Sequence, residues 1–298
     1  MWVLKVTAIT ALVCIGLLTT TVFPVVAQDA PAPDKSGEHL KGYDDWHFSV
    51  NLGEWAPPFQ GSVTAKGQTS PVDLTLYDLL KSIYVAEFAI DGRFEVSKGP
   101  WGVLIDGVYF KANQSAMAQK SINIPILDPP PFTIQGRADV TGVYSVGESA
   151  LSYDVYASPC LVANMPALTV GILGGARYTY FRTVVDLEVS GSGPLGLTRT
   201  FQSDKTADWV DPFVGWRVLY RPTEKWTTSI KTEFGGFGVG SEFIFNIDVE
   251  AKYHINKCLF VNFGLDTLYT DYATGSGNDK FAYNMWNCGP FFGVGVEF

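Results

Sequence analysis

The sequence is poor in the residues that most enzymatic and nucleic-acid chemistry needs. It has 3 histidines and 4 cysteines in 298 residues, and neither type shows the close spacing of a metal-ligand set. No metal and no cofactor is therefore expected. His39, His47 and His254 are spread along the chain, and no serine stands at a fixed spacing from a histidine and an acid. A nucleophile activated by a neighbouring base is not readable, so no catalytic residue is expected. Basic residues are scarce as well: Lys and Arg total 21 against 30 Asp and Glu, for a formal charge of −9. With no basic stripe to replace phosphate counterions, nucleic acid is excluded as a partner. Beyond the N-terminus there is no apolar run of about eighteen residues, which excludes a helical membrane span in the rest of the chain.

What is present at the N-terminus reads as an export signal. Lys5 precedes an apolar run from Val6 to Phe23, followed by Pro24 and by Val25-Val26-Ala27 before Gln28. This places a signal peptide at 1–27; a membrane anchor is the competing reading, because the run approaches bilayer thickness. Cys14 lies inside the run without the small residues of a lipoprotein box. Residues 28–44 are polar and contain Pro31 and Pro33, as expected of a flexible periplasmic tail with little to bury. Cys160, Cys258 and Cys288 remain after the signal. They fall on different strands or in turns and read as small wall or rim residues, with a disulfide left open.

The rest of the chain repeats a period of two. Phe243, Phe245, Ile247, Val249, Ala251, Tyr253 and Ile255 share one face of a strand, while Asn246, Asp248, Glu250, Lys252 and His254 share the other. The same division recurs in 84–96, in 259–270 and at the C-terminus, where Phe298, Val296, Val294 and Phe292 oppose Glu297, Gly295 and Gly293. A soluble sandwich alternates too. Here, however, the apolar face carries large side chains and the opposite face mixes charges, glycines and serines, as a lipid-facing wall around a crowded lumen does. Trp46, Trp101, Tyr178, Tyr220 and Trp226 gather near strand ends, where interfacial girdles lie.

The expected fold is all-β: an antiparallel, up-and-down transmembrane β-barrel over 45–298 with about ten strands. Strands are placed at 45–55, 84–96, 101–112, 149–159, 167–183, 209–221, 226–237, 242–255, 258–272 and 281–298. Long outer loops then fall at 56–83, 113–148 and 184–208. In 133–146 the apolar residues sit at even positions, but from Leu151 to Ala157 they sit at odd ones. A bulge near Gly147 is expected to reset the register, and twelve strands are the second choice if 133–146 crosses separately. Ser70, Pro71 and Asp73, followed by Leu76, Leu79 and Leu80, predict a short helix over 71–82 in the first outer loop. The glycine run 235–240 has no lysine and helix after it, so it reads as a tight outer turn, not a phosphate loop.

The last strand, ending on Phe298 after Phe292, Val294 and Val296, resembles the assembly signal of Gram-negative outer-membrane barrels, with Val296 where an aromatic is frequent. Four further stretches resemble a widespread, functionally uncharacterised family of such barrels: Asp78-Leu79-Leu80; Gly99-Pro100-Trp101-Gly102-Val103 with Asp106 and Tyr109; Trp209-Val210-Asp211-Pro212-Phe213-Val214-Gly215; and Gly235-Gly236-Phe237-Gly238-Val239-Gly240-Ser241. The resemblance implies an outer-membrane location, outer-membrane lipids as surroundings and the barrel assembly machinery as a partner. It implies no activity.

Projecting the alternation inward gives a lumen lined by Glu87, Asp91, Arg93, Glu95, Asp106, Asp154, Arg177, Asp211, Arg217, Lys231, Glu233, Asp248, Glu250, Lys252 and Asp266. In so narrow a barrel these charges can meet across the interior. A structural, salt-bridged core is one expectation. The other is a narrow, cation-preferring channel for small solutes or ions. A lipid-acting membrane enzyme and an adhesin working through the long outer loops are the alternatives.

Overall fold

A computed structural model of the chain describes residues 43–65, 67–77, 86–122, 132–163, 165–192 and 198–298. The expected signal peptide, and the expected tail up to residue 42, lie outside these. The described strands are β1 (Trp46–Trp55), β2 (Phe59–Ala65), β3 (Gln68–Leu74), β4 (Ala86–Lys98), β5 (Trp101–Ile122), β6 (Phe132–Ala157), β7 (Leu161–Val162), β8 (Met165–Pro166), β9 (Leu168–Ser192), β10 (Thr198–Thr223), β11 (Trp226–Gly236), β12 (Phe243–His254), β13 (Leu259–Thr274) and β14 (Phe281–Glu297). Ten of them form a ring in the order β1-β4-β5-β6-β9-β10-β11-β12-β13-β14, closed by pairing of β14 with β1. Each neighbouring pair in the ring is antiparallel.

Alternation decides which side of this wall each residue meets. Leu52, Ile105, Leu151, Ile172, Val214 and Phe292 point outward and are at least half exposed. In water, a continuous belt of such residues would be a large sticky patch. Against lipid it is matched, and the closed ladder leaves no wall strand with an unpaired edge inside the bilayer. The inward residues of β12 (Ile244, Asn246, Asp248 and Glu250) are buried. Two lumen glycines make room for rings: Phe291 lies against Gly264 and Phe260 against Gly295. Outward aromatics cluster at the short-turn end, where Trp101 meets Tyr153 and Trp226 meets Tyr253. In barrels of this type that end faces the periplasm.

The edge of β14 is shared. Its C-terminal half pairs with β1, from Phe291↔Trp55 to Glu297↔Ser49, and its N-terminal half pairs with β2, from Asn287↔Phe59 to Ala282↔Thr64. β3 folds back on β2, so the expected first loop carries a hairpin. Phe59, Val63 and Val72 of that hairpin pack against Tyr144, Val146, Trp209, Tyr283 and Met285.

Three expectations are corrected. The helix over 71–82 is not formed as expected: residues up to Leu74 belong to β3, Leu76 and Tyr77 are helical, and residues 78–82 lie outside the described ones. Pairing with β2 gives Ser70, Pro71 and Asp73 a place in a ladder, which outweighs a local capping pattern. The loops at 113–148 and 184–208 are mostly strand, because β5, β6, β9 and β10 run far past the membrane. The apolar residues of 133–146 alternate with the parity opposite to that of Leu151 to Ala157, so the two stretches do not read as one strand. No bulge occurs at Gly147 either. β5 and β6 stay in unbroken register from Trp101↔Tyr153 to Ile122↔Phe132, and 133–146 is part of one strand, which removes the twelve-strand alternative. The parity changes because Tyr144 and Val146 are apolar residues that face inward.

Two outcomes test this placement. Ile247→Arg, in mid-strand on the lipid face, costs about 2 to 4 kcal/mol of folding stability in lipid vesicles, whereas Ile255→Arg in the exposed turn costs about 0 to 1; equal losses would contradict the depth assignment. At the seam, Phe298 N–H donates to Phe48 O at 2.9 Å, Phe48 N–H donates to Phe298 O at 2.8 Å, and the two rings stack at 5.8 Å. Deleting Phe298 lowers the amount of barrel in the outer-membrane fraction while export continues, read by cell fractionation; normal membrane levels would show that closure does not need this clasp.

Candidate functional site

The lumen is where the described wall gathers its polar side chains at membrane depth, and its charges form tiers. Near the periplasmic end, Arg217 Nη1 of β10 donates to Glu95 Oε1 of β4 at 2.5 Å. These strands are not neighbours in the ring, so the pair crosses the interior. Asp154 accepts from the hydroxyl of Tyr43 at 2.9 Å, and Gly99 N–H donates to Tyr43 O at 2.9 Å. The chain just before β1 is thereby fixed at the periplasmic mouth. Burial, and then the Asp154 carboxylate, push the Tyr43 phenol above its ordinary range.

The middle tier is denser. Arg93 of β4 donates through Nε to Asp106 Oδ2 and through Nη2 to Asp248 Oδ2, both at 2.6 Å, with Glu250 Oε2 at 3.5 Å from Nη1. Asp106 is its ladder partner, but Asp248 and Glu250 belong to β12 on the far side. Arg177 Nη2 donates to Glu148 and Glu233, and Lys231 Nζ lies 2.7 Å from Glu148 Oε1 and 2.9 Å from Glu233 Oε1. Lys252 Nζ is 3.9 Å from Glu250, whose other oxygen accepts from Asn262 Nδ2 at 2.6 Å. Asp266 accepts from Asn246 Nδ2 at 2.6 Å. Arg177, Lys231, Glu233, Asp248 and Glu250 are each at most 5% exposed. Removing one partner of such a pair strands the other charge, at about 3 to 5 kcal/mol, whereas an intact buried pair is close to neutral for stability. The network therefore fixes and fills the interior more than it stabilises the barrel.

Above it the lumen is apolar. Tyr144, Trp209 and Tyr283 gather with Phe59, Phe181 and Phe281, and Trp209 stacks on Tyr272 at 4.0 Å. Asp211, expected among the lumen charges, instead holds a turn: Ser241 N–H and Oγ donate to its Oδ1 at 2.6 and 2.7 Å, and Trp209 Nε1 donates to Oδ2 at 2.9 Å. Two of the resemblance stretches, 209–215 and 235–241, thus meet through one carboxylate. Gly236 and Gly238 take positive φ in that turn, as its tightness requires.

Of the expected lumen residues, Arg93, Asp106, Asp248 and Glu250 come together, as do Glu95 with Arg217 and Lys231 with Arg177 and Glu233. Asp91 lines the same interior without an ion pair among the described residues, and the side chain of Glu87 lies outside them. Glu148 is the residue that sequence reasoning missed. It shares even parity with Tyr144 and Val146, so accepting those two as inward-facing would have found it. His254 is 3.2 Å from Thr227 Oγ1 and 3.4 Å from Glu297. Cys160, Cys258 and Cys288 are free thiols, the first two exposed in turns at the short-turn end.

No protein-family model matches the chain, and no curated protein matches it by sequence. Several solved structures align with the chain at low similarity. The outer membrane protease OmpT from Escherichia coli aligns over 86% of this chain and 97% of its own at 10% identity and TM-score 0.44. The translocator domain of the autotransporter NalP from Neisseria meningitidis aligns over 86% and 90% at 12% identity and TM-score 0.33. Ail, the attachment invasion locus protein of Yersinia pestis, aligns over 85% and 99% at 10% identity and TM-score 0.27. Likeness of this degree assigns no activity. The closed ring, its outward apolar belt and its charged interior make the chain a transmembrane β-barrel of the bacterial outer membrane.

Proposed function

We propose that the protein is a non-conducting outer-membrane scaffold that raises a four-stranded β-sheet above the cell surface. The observation that carries this reading is the bridging of the lumen from wall to wall, by Arg93 to Asp248 and by Arg217 to Glu95. The aromatic cluster and the β2–β3 hairpin lie above these bridges as a second closure. A cation channel needs a continuous path of groups that ions can visit and leave; here the cations are tied to carboxylates on opposite walls.

The raised sheet follows from strand length. A membrane crossing takes about 9 to 11 tilted residues, and β11 and β12 have 11 and 12. β5, β6, β9 and β10 have 22, 26, 25 and 26. Arg182 and Asp204 pair at 2.6 Å on the outward face of β9 and β10, both nearly half exposed. An outward ion pair cannot lie in hydrocarbon, so the bilayer ends below it and the strands continue into water. In this reading the outer-membrane lipids and the barrel assembly machinery are the partners the wall needs.

Planar-bilayer recording tests the reading. The wild-type barrel gives no stable conductance steps. Deleting 59–74 leaves it silent because the ion-paired tiers persist, and adding Arg93→Ala and Arg217→Ala to that deletion produces steps. Stable, cation-selective steps from the wild type would replace the scaffold with a channel.

A further inference from the structure

The short turns at the periplasmic end are not alike. Those between β4 and β5, β10 and β11, and β12 and β13 each carry an exposed lysine, Lys98, Lys225 and Lys257, which keeps the turn in water. The connection between β6 and β9 carries none. From Val155 to Ala176 the chain has no charged residue, and the charges that bound this stretch turn inward, Asp154 to Tyr43 and Arg177 to Glu148. The apolar composition of the wall thus continues past the end of the strand. These residues are also displayed. Tyr153 meets Trp101 in the girdle at the periplasmic edge of the bilayer. Below that girdle a bulge between Asp154 and Tyr156 leaves two successive side chains, Val155 and Tyr156, 55% and 49% exposed, and Leu161 on β7 is 42% exposed. Cys160 beside it is exposed as well. Apolar side chains displayed together on a surface mark contact with a partner or with a membrane.

The backbone of the connection supplies a second, independent observation. β7 and β8 pair Leu161 with Pro166 and Val162 with Met165. Ser158 N–H donates to Leu168 O and Ala167 N–H to Cys160 O, both at 2.8 Å. The Ser158 hydroxyl donates to Cys160 O at 3.1 Å and accepts from Leu168 N–H at 3.2 Å. Arg221 of β10 braces the base, its N–H donating to Ala167 O at 2.7 Å and its Nη1 to Pro166 O at 3.0 Å. Pro159 and Pro166 remove two backbone donors outright. A turn in water can leave such groups to the solvent, but one that touches lipid has to satisfy them within the protein.

We propose that the β6–β9 connection is an interfacial foot, whose Val155, Tyr156 and Leu161 lie among the headgroups of the periplasmic leaflet with phospholipid as the partner. The partner is a lipid surface because these side chains continue the outward belt of the same strand, from Leu151 through Tyr153. A protein-binding patch is bounded by a polar rim; here no charge separates the belt from the turn, since Asp154 is held by Tyr43 on the inner side. Tyr156 suits the place, with an apolar ring for the acyl boundary and a polar tip for the headgroups. The foot sits at the base of β6 and β9, which rise far past the bilayer on the other side. It therefore fixes the depth of the sector of wall that carries the raised sheet. The contact with lipid does not depend on whether the barrel conducts.

Electron paramagnetic resonance tests the foot, on the full chain in vesicles of phosphatidylethanolamine and phosphatidylglycerol. Two variants keep one cysteine each, Cys160 or Cys258, with the other cysteines replaced by serine, and each carries a nitroxide on its thiol. Cys258 is exposed in a lysine-bearing turn, so its label reports on a turn in water. Relative to that label, the one on Cys160 collides several-fold more often with oxygen, which concentrates in lipid, and several-fold less often with a water-soluble nickel chelate. Adding Leu161→Asp to the Cys160 variant reverses both differences, because a carboxylate holds the turn in water; heat-dependent gel migration shows that the barrel is folded. Equal collision rates at the two positions overturn the proposal. A Cys160 label that stays in lipid in the folded Leu161→Asp barrel also overturns it, since the label itself would then be seeking the membrane. Protection of the Cys160 label from both oxygen and the chelate overturns it in favour of a contact with protein.

Discussion

Everything in this protein depends on the obligation of a backbone in hydrocarbon to satisfy its own hydrogen bonds. A sheet meets it only by closing on itself, and closure divides every strand into a face for lipid and a face for the interior. The outward belt and the charged lumen are two consequences of one ladder whose ends meet between β1 and β14. The interior that results is too narrow to remain a water column once Arg, Lys, Glu and Tyr side chains from several strands enter it. What fills it is set by which side chains can reach one another across the ring.

That distinction explains what the sequence could reveal. Single crossings such as β11 and β12 were legible to within a residue or two, because each residue on them meets either lipid or lumen and the period of two records it. The same period sets Arg93, Arg217, Asp248 and Glu250 on the inner face, where they pair. Their pairing was not legible: Arg93 finds Asp248 and Arg217 finds Glu95 through the curvature of the ring, which no local spacing encodes.

The misreadings share a cause. Alternation was read on the assumption that apolar means lipid-facing, and Tyr144 and Val146 break that assumption by facing an interior that becomes apolar toward the outer end. The stretch 133–146 reads as loop because its apolar residues, at even positions, are out of step with those from Leu151 to Ala157, at odd ones. The short helix rests on Ser70, Pro71 and Asp73 with Leu76, Leu79 and Leu80 after them; a cap is a local signal of about one kcal/mol, and the β2 ladder offers Ser70, Pro71 and Asp73 more. Glu148 was lost with Tyr144 and Val146, since all three sit on the same face of one strand.

The raised sheet has a property that the membrane-spanning wall does not. β10 pairs with β9 from Thr198 onward but with β11 only from Phe213, and β5 pairs with β6 as far as Ile122 but with β4 only as far as Ala112. Among the described residues each therefore carries a stretch with a ladder on one side alone. Such a margin is a template on which a foreign strand can be laid down. Along the β10 margin stand Arg199, Asp204, Lys205 and Asp208, all exposed. Charged side chains of this kind discourage indiscriminate strand addition, so the open flank of the sheet can stay in water without zipping to its neighbours in a crowded membrane.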